Sequence, residues 1–289
     1  YVFDTLGNLR KTTQGDQHRY FMHDSLGRLL YAKQPEQEAN TSFSATDPVT
    51  SNALWSVKYE YDDNSNITKT TDAIGVYVEG TYDHLNRITN RNYSDTTPDV
   101  LFFYDGKYKD SADAMQTATG SVLGKTTGIK SSVSKTNYTS FDVFGRPLTH
   151  QQITDGQTYN TGYSYNLSGV LIEETYPSGR VVRSTFGVDG QLTQVQSKKD
   201  ADHGFVNYAE SISYNASGAV TKMQLGNGRW ETAIYNDRLQ ITQIGLGTTD
   251  SMQDLLKLNY DYGTSTQNNG SLREQRINFS GLSNEIKQT

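Results

Sequence analysis

The sequence predicts an all-β chain, built as one repetitive antiparallel β-hairpin sheet. A short turn motif recurs about every 20 residues, within the range of repeat architectures. The segments beside it alternate apolar and polar residues with period two, the pattern of half-buried strands. Long stretches of helical periodicity are missing.

The motif reads aromatic, Asp or Asn, two variable residues, Gly, a polar residue, then an aliphatic. Its first copy is Phe3-Asp4-Thr5-Leu6-Gly7-Asn8-Leu9. The second, His23 to Leu29, has His in the aromatic place, and further copies start at Tyr61, Tyr82, Phe141, Tyr165, Phe186, Tyr214 and Tyr235. Spacings of 20, 38, 21, 59, 24, 21, 28 and 21 fall mostly near multiples of one unit. The wide gaps should hide degenerate copies at Phe43 and Tyr104-Asp105, and Tyr260-Asp261 continues the series.

The motif's chemistry is that of a hairpin turn. Asp bonds the backbone ahead of it, and Gly three residues later supplies the positive φ that closes a type I turn with a G1 bulge. Gly7, Gly27, Gly145, Gly169, Gly190 and Gly218 hold that position, and Asn86 substitutes in the Tyr82 copy because Asn tolerates left-handed φ. Ser65 is a poorer fit, and the copy ending at Leu239 reads as shortened. Strands on both sides follow, as in Val57-Lys58-Tyr59-Glu60-Tyr61 and Ile241-Thr242-Gln243-Ile244. Two strands per unit imply on the order of 25 strands in one meander.

Stretches that break the repeat read as insertions, at 106–119 and 245–257, with loop or short helix expected around Asp110–Ala118 and Ser251–Lys257. Thr41–Ala53 and Gly120–Lys135 are Ser/Thr-rich and read as loops.

Composition agrees with a thin sheet. Hydrophobic residues make up 34% and mean hydropathy is -0.69, yet aromatics reach 11%, too many for a disordered chain. Tyr suits a half-buried β-surface, and 25 Gly against 5 Pro suit many turns and uninterrupted ladders. Net charge is -6 without a basic run, which argues against nucleic acid as a partner. No apolar stretch approaches the roughly 18 residues of a membrane span. Cysteine is absent, which removes disulfides and thiol chemistry.

Catalytic and cofactor motifs were sought without result. His18, His23, His84, His150 and His203 lack metal-ligand spacing and read as structural or surface residues. Gly120-Ser121-Val122-Leu123-Gly124-Lys125-Thr126 is one residue too short for a phosphate loop. Asp62-Asp63-Asn64-Ser65-Asn66 opens like a calcium loop but has Ile67 and Ala73 where Gly and Glu are required. No cofactor, metal or catalytic residue is expected, and the chain does not read as an enzyme. The candidate residues are structural: the turn positions above and the aromatics Tyr61, Tyr82, Phe141, Tyr165, Phe186, Tyr214 and Tyr235. An aromatic row can also stack sugars, but period-two alternation favours the half-buried face of a sheet.

Read as Tyr-Asp-x-x-Gly-Arg-Leu, the motif resembles the signature of the YD-repeat (RHS-repeat) family. Gly27-Arg28-Leu29, Tyr82 to Ile88 and Phe141 to Arg146 carry the likeness, as do Tyr176 to Val181 with Phe186 to Leu192, Tyr260 to Gly263 and Asn268 to Leu272. The resemblance implies a β-sheet spiralling into a hollow shell. In bacterial RHS proteins and the C components of Tc toxin complexes such a shell encloses a C-terminal toxic enzyme, and teneurins carry a related domain. The self-cleavage segment and toxin domain of those proteins are missing here and are expected downstream. Residues 1–289 are therefore expected to be a single shell region, internal to a longer, exported bacterial chain. Its expected partner is that chain's own C-terminal toxin or effector domain, alongside other shell or secretion components. The alternative is a cell-surface adhesin that binds glycans.

Overall fold

The computed structural model describes residues 1–281 and 285–289. All the regular structure described is β: 25 strands, of which 23 run as an antiparallel meander and two form a separate hairpin. The chain divides into two compact units, Tyr1–Tyr159 and Asn160–Thr289.

The first unit opens with β1 (Val2–Phe3), β2 (Leu9–Gln14), β3 (Gln17–His23) and β4 (Leu29–Lys33). A long connection leads to β5 (Val57–Tyr61), followed by β6 (Ile67–Thr71), β7 (Tyr77–Tyr82), β8 (Ile88–Tyr93) and β9 (Val100–Tyr104). Each of these pairs with the next. The inserted hairpin β10 (Lys107–Lys109) with β11 (Met115–Thr117) stands outside the ladder, and β9 pairs past it with β12 (Thr126–Lys130). Next come β13 (Ser134–Phe141) and β14 (Pro147–Thr154); β15 (Gln157–Tyr165) starts at the boundary of the units.

The second unit continues through β16 (Leu171–Thr175), β17 (Val181–Phe186), β18 (Leu192–Lys198), β19 (Val206–Tyr214) and β20 (Val220–Leu225). It ends with β21 (Trp230–Tyr235), β22 (Ile241–Gly247), β23 (Leu256–Asp261), β24 (Glu274–Phe279) and β25 (Ile286–Gln288). Here too the ladder joins consecutive strands.

Three expectations need correction. Asp110–Ala118, expected as loop or short helix, is the turn and second strand of the β10–β11 hairpin, because Asp110 and Asp113 make a turn of the motif's own kind. Ser251–Lys257, given the same two alternatives, takes the first: it is a connection running into β23. Gly120–Lys135 is not a loop throughout, since β12 within it lies between β9 and β13. Phe43 is no hidden repeat: it sits in the connection after β4 and packs edge-on against Tyr31, ring centroids 5.8 Å apart.

Alternation gives each unit an apolar and a polar face. In the first, Tyr59, Thr70, Val78 and Tyr93 are directly opposed across β5 to β8. One position along, on the other face, stand Glu60, Lys69, Glu79 and Asn92. In the second, Ala233, Ile244, Leu258 and Ile277 make an aliphatic row backed by Gln243, Asn259 and Arg276. No second layer covers these rows within either unit: described strand contacts join ladder neighbours, apart from those of β10 with β9, β12 and β13. Only six apolar residues are accordingly buried among those described, Ala32, Trp55, Ala118, Phe141, Ile153 and Val181. Side chains half-covered by cross-strand neighbours, and not a thick core, hold the sheet together.

Candidate functional site

Consecutive antiparallel hairpins turn at alternate ends of the strands, so within each unit the motif copies all lie at one end, here the anchor end. The Tyr82 copy shows how its residues work. The Asn86 amide donates to the Asp83 carbonyl (3.0 Å) and the Asp83 amide to the Arg87 carbonyl (2.9 Å). Asn86 itself sits at φ +60°. This is a type I turn closed by a left-handed residue, and the register between β7 and β8 slips by one at Thr81/Tyr82, the bulge such a turn requires. The Asp83 carboxylate takes the remaining donors: Leu85 N at 2.9 Å, Arg87 N at 3.0 Å and Arg87 Nε at 2.7 Å.

All nine copies share this backbone. The residue three beyond the Asp or Asn position donates back to its carbonyl in each. It has positive φ in each: Gly7, Gly27, Ser65, Asn86, Gly145, Gly169, Gly190, Gly218 and Leu239. A register shift falls at every anchor. The Tyr235 copy is therefore not shortened. It is full length, with Leu239 forced to φ +60° in the place of Gly, because Leu239 N donates to the Asn236 carbonyl as Gly does elsewhere.

The anchors and arginines join one hairpin to the next. Tyr61 Oη donates to the Leu29 carbonyl at 2.8 Å, Tyr82 to Ile67 at 2.9 Å, and Tyr104 to Ile88 at 2.8 Å. In the second unit Tyr214 donates to Leu192 at 2.8 Å and Tyr235 to Val220 at 2.9 Å. Each accepting carbonyl belongs to the aliphatic residue that ends the preceding motif. Arg87 bonds its own Asp83, reaches Asp105 through both terminal nitrogens (3.1 and 2.7 Å), and lies 4.3 Å from the Tyr104 ring centroid. Arg28 pairs with Asp24 at 2.7 Å, donates to the Asp62 carbonyl at 3.2 Å, and lies 4.9 Å from the Tyr61 ring. Phe141 and Phe186 lack the hydroxyl; Phe141 is buried instead. Tyr165 anchors its copy beside Asn166, whose Oδ1 accepts the Val170 amide at 2.9 Å.

These contacts hold the turn carboxylates ionised. Desolvation raises the Asp4 pKa, but hydrogen bonds from the Asn8 side chain and amide, Arg10 and the Leu6 amide outweigh it, and the result is about 2. Asp24 and Asp142 are lowered against the same opposing desolvation, Asp62 chiefly by the Asn66 side chain, and Asp83 chiefly by the Arg87 amide. Arg87 is pushed up by Asp105 and then Asp83.

Sequence reading missed four turns of the same hydrogen-bonded form without an aromatic anchor: Asp72–Val76, Asp110–Ala114, Tyr176–Arg180 and Leu225–Arg229. The signals were Asp72-x-x-Gly75, Ser178-Gly179-Arg180 and Asn227-Gly228-Arg229; Asp113 at φ +65° gave none. Tyr104-Asp105 does serve as an anchor, bonding the Ile88 carbonyl of the preceding motif, but β10 and β11 are inserted after it. The calcium-like segment is the turn between β5 and β6, its Asp62 carboxylate occupied by Asn64 and Asn66. The histidines are dispersed, and no group of three His, Cys, Asp or Glu among the described residues is placed to hold a metal ion. No helix among them is long and apolar enough to cross a membrane.

The fold and its turns define a class: an all-β hairpin-repeat sheet stitched along one end by Tyr, Asp and Arg. Solved structures with a similar fold exist. Over 97% of its length the chain superposes on a chain of the crystal structure of TcdB2-TccC3, with TM-score 0.65 and 16% identity. It is similar over 96% of its length, at TM-score 0.62 and 17% identity, to TcdB2-TccC3 without the hypervariable C-terminal region. Over 99% it is similar, at TM-score 0.60 and 15% identity, to a chain of the Photorhabdus luminescens Tc holotoxin pore bearing a mutated TccC3. It spans only 15–16% of the length of those chains. No protein-family model and no curated protein matches it. The likeness establishes the fold, which agrees with the RHS-type sheet that the motif implied.

Proposed function

We propose that this chain is one stretch of a β-shell that encloses a C-terminal effector segment of the same, longer polypeptide. The observation that carries this reading is the single-layer sheet with an apolar and a polar face and no second layer within either unit. A sheet so built gains little as an ordinary core but serves well as a wall. Two further points support it. The similar chains are several times longer, and one was solved without its hypervariable C-terminal region. On this reading the whole of residues 1–289 is wall, the glycines and aromatics of the motif are structural, and the role is containment and not catalysis. The polypeptide would be exported, with its own C-terminal segment as first partner.

Limited proteolysis of the intact native polypeptide tests it. The segment C-terminal to the sheet should resist protease while the sheet is folded and be digested once urea unfolds it. Digestion at the same rate as for the segment expressed alone, or the lack of any such segment, overturns the proposal.

A further inference from the structure

The sequence holds two Asn-Gly steps, Asn227-Gly228 and Asn269-Gly270, and neither belongs to the nine motif copies. Such a step is open to self-modification, because Gly has no Cβ to keep its amide nitrogen away from the preceding side chain. All four residues are exposed, so access to water does not separate the two steps. The asparagine side chains do not separate them either: each accepts the amide two residues on through Oδ1, both at 3.0 Å.

The glycine amides differ. Gly228 closes the turn Leu225–Arg229 between β20 and β21. Its amide donates to the Leu225 carbonyl at 2.8 Å, and the Leu225 amide donates to the Arg229 carbonyl at 2.7 Å. Ladder pairing starts at the next residues, Gln224 with Trp230. Freeing the Gly228 nitrogen therefore means opening the end of a hairpin. Gly270 stands in the connection of residues 262–273 between β23 and β24, outside the described strands. Its amide donates to a side chain at the surface, Asn268 Oδ1 at 2.9 Å. That bond can break while the ladder stays closed.

We propose that Asn269 is a site of spontaneous deamidation, while the fold protects Asn227. The Gly270 nitrogen, on losing its proton to hydroxide, attacks Asn269 Cγ. An N–C bond forms, the Cγ–Nδ2 bond breaks, and the nitrogen leaves as ammonia after taking a proton from water. Water then opens the resulting succinimide at either carbonyl, to aspartate or to isoaspartate. Isoaspartate adds a methylene to the main chain directly after Asn268. Asn268 fastens this connection to the Tyr235 turn: its carbonyl accepts Arg238 Nη1 at 2.6 Å, and its Nδ2 donates to Gln240 Oε1 at 2.6 Å. The modification thus falls where the β23–β24 connection is tied to the neighbouring hairpin.

Incubation of the intact polypeptide in mildly alkaline buffer, followed by peptide mapping with mass spectrometry, is the test. The mass gain of an amide becoming a carboxylate, with an isoaspartate peptide eluting apart from the aspartate one, identifies the product. In the folded polypeptide Asn269 should convert at least tenfold faster than Asn227. In urea the gap should close, because both are then free Asn-Gly steps. A folded-state ratio below tenfold, or a tenfold ratio that survives in urea, overturns the proposal. So does an unmodified Asn269 in a folded chain whose urea-unfolded form converts.

Discussion

The two ends of the hairpins are built to different rules. At the anchor end nine connections have one length and one backbone conformation. At the opposite end three connections, at Asp72–Val76, Tyr176–Arg180 and Leu225–Arg229, take the same turn, but the rest range from Gly15-Asp16 alone to the whole of residues 34–56. That longest connection has a small core of its own. Trp55 is fully buried, 5.5 Å from the Tyr31 ring, and its Nε1 donates to the Ala45 carbonyl at 2.7 Å. Asp47, also fully buried, accepts Arg10 at 3.2 Å, and Arg10 pairs in turn with Asp4 of the first motif at 2.7 Å. One end therefore repeats a single local turn throughout, while the other varies in length and carries packed loops.

Five outcomes would break or sharpen this contrast. The largest is expected at the variable end: Trp55→Ala should cost about 3–5 kcal/mol in urea unfolding, since it empties a fully buried site. A loss below about 1 kcal/mol would show that the loop is an appendage.

Acid should act next, and at the anchor end. The folded pKa values of Asp4, Asp24, Asp62, Asp83 and Asp142 lie below the free value, so the native state binds fewer protons. That stability is present above the unfolded pKa of about 3.9 and is lost as pH falls through the folded values, about 2 for Asp4. Urea midpoints should hold from about pH 7 to 5 and drop below about pH 4; a flat profile down to about pH 2 would remove the carboxylates from the turn's energetics.

Gly169→Val, at φ +86°, should cost about 2 kcal/mol, because a β-branched residue strains against left-handed backbone. Unchanged thermal stability would refute the turn assignment. Tyr61→Phe should cost about 1 kcal/mol by stranding the Leu29 carbonyl, whereas Tyr59→Phe, on the same strand but outside the motif, serves as the control.

The smallest effect has the opposite sign. Leu239→Gly should raise stability by roughly 0.5 kcal/mol, as relief of the left-handed strain slightly exceeds the greater freedom of Gly in the unfolded chain. A melting temperature lower than wild type would mean that Leu239 has packing worth more than its strain.

How much of this was legible follows from where each bond is made. The turn could be read because its donors and acceptors lie within five consecutive residues, so Asp4, Gly7 and Asn8 state it by themselves. Its strictness hid Leu239: a rule that expects Gly reads Leu as a missing residue, although the neighbouring strands impose the same path on either. The loop or short helix expected near Asp110 proved a hairpin for a related reason, since short polar stretches carry no periodicity and pairing of Lys107–Lys109 with Met115–Thr117 decided the matter. For the candidate site, the motif's aromatics were visible, but their use was not. Nothing local to Tyr61 indicates the carbonyl of Leu29, 32 residues earlier, as its partner.

What the sequence by itself determined is the list of turns and the alternation between them, because both are written in φ preference and in period two, properties of a few adjacent residues. What only the tertiary structure decided is every relation between hairpins. It set the tyrosine and arginine stitches, the clamp of Arg10 on Asp47 and the burial of Trp55. Those depend on which strands lie side by side. Sheet pairing joins residues distant in the chain, and no window of neighbouring residues contains both partners.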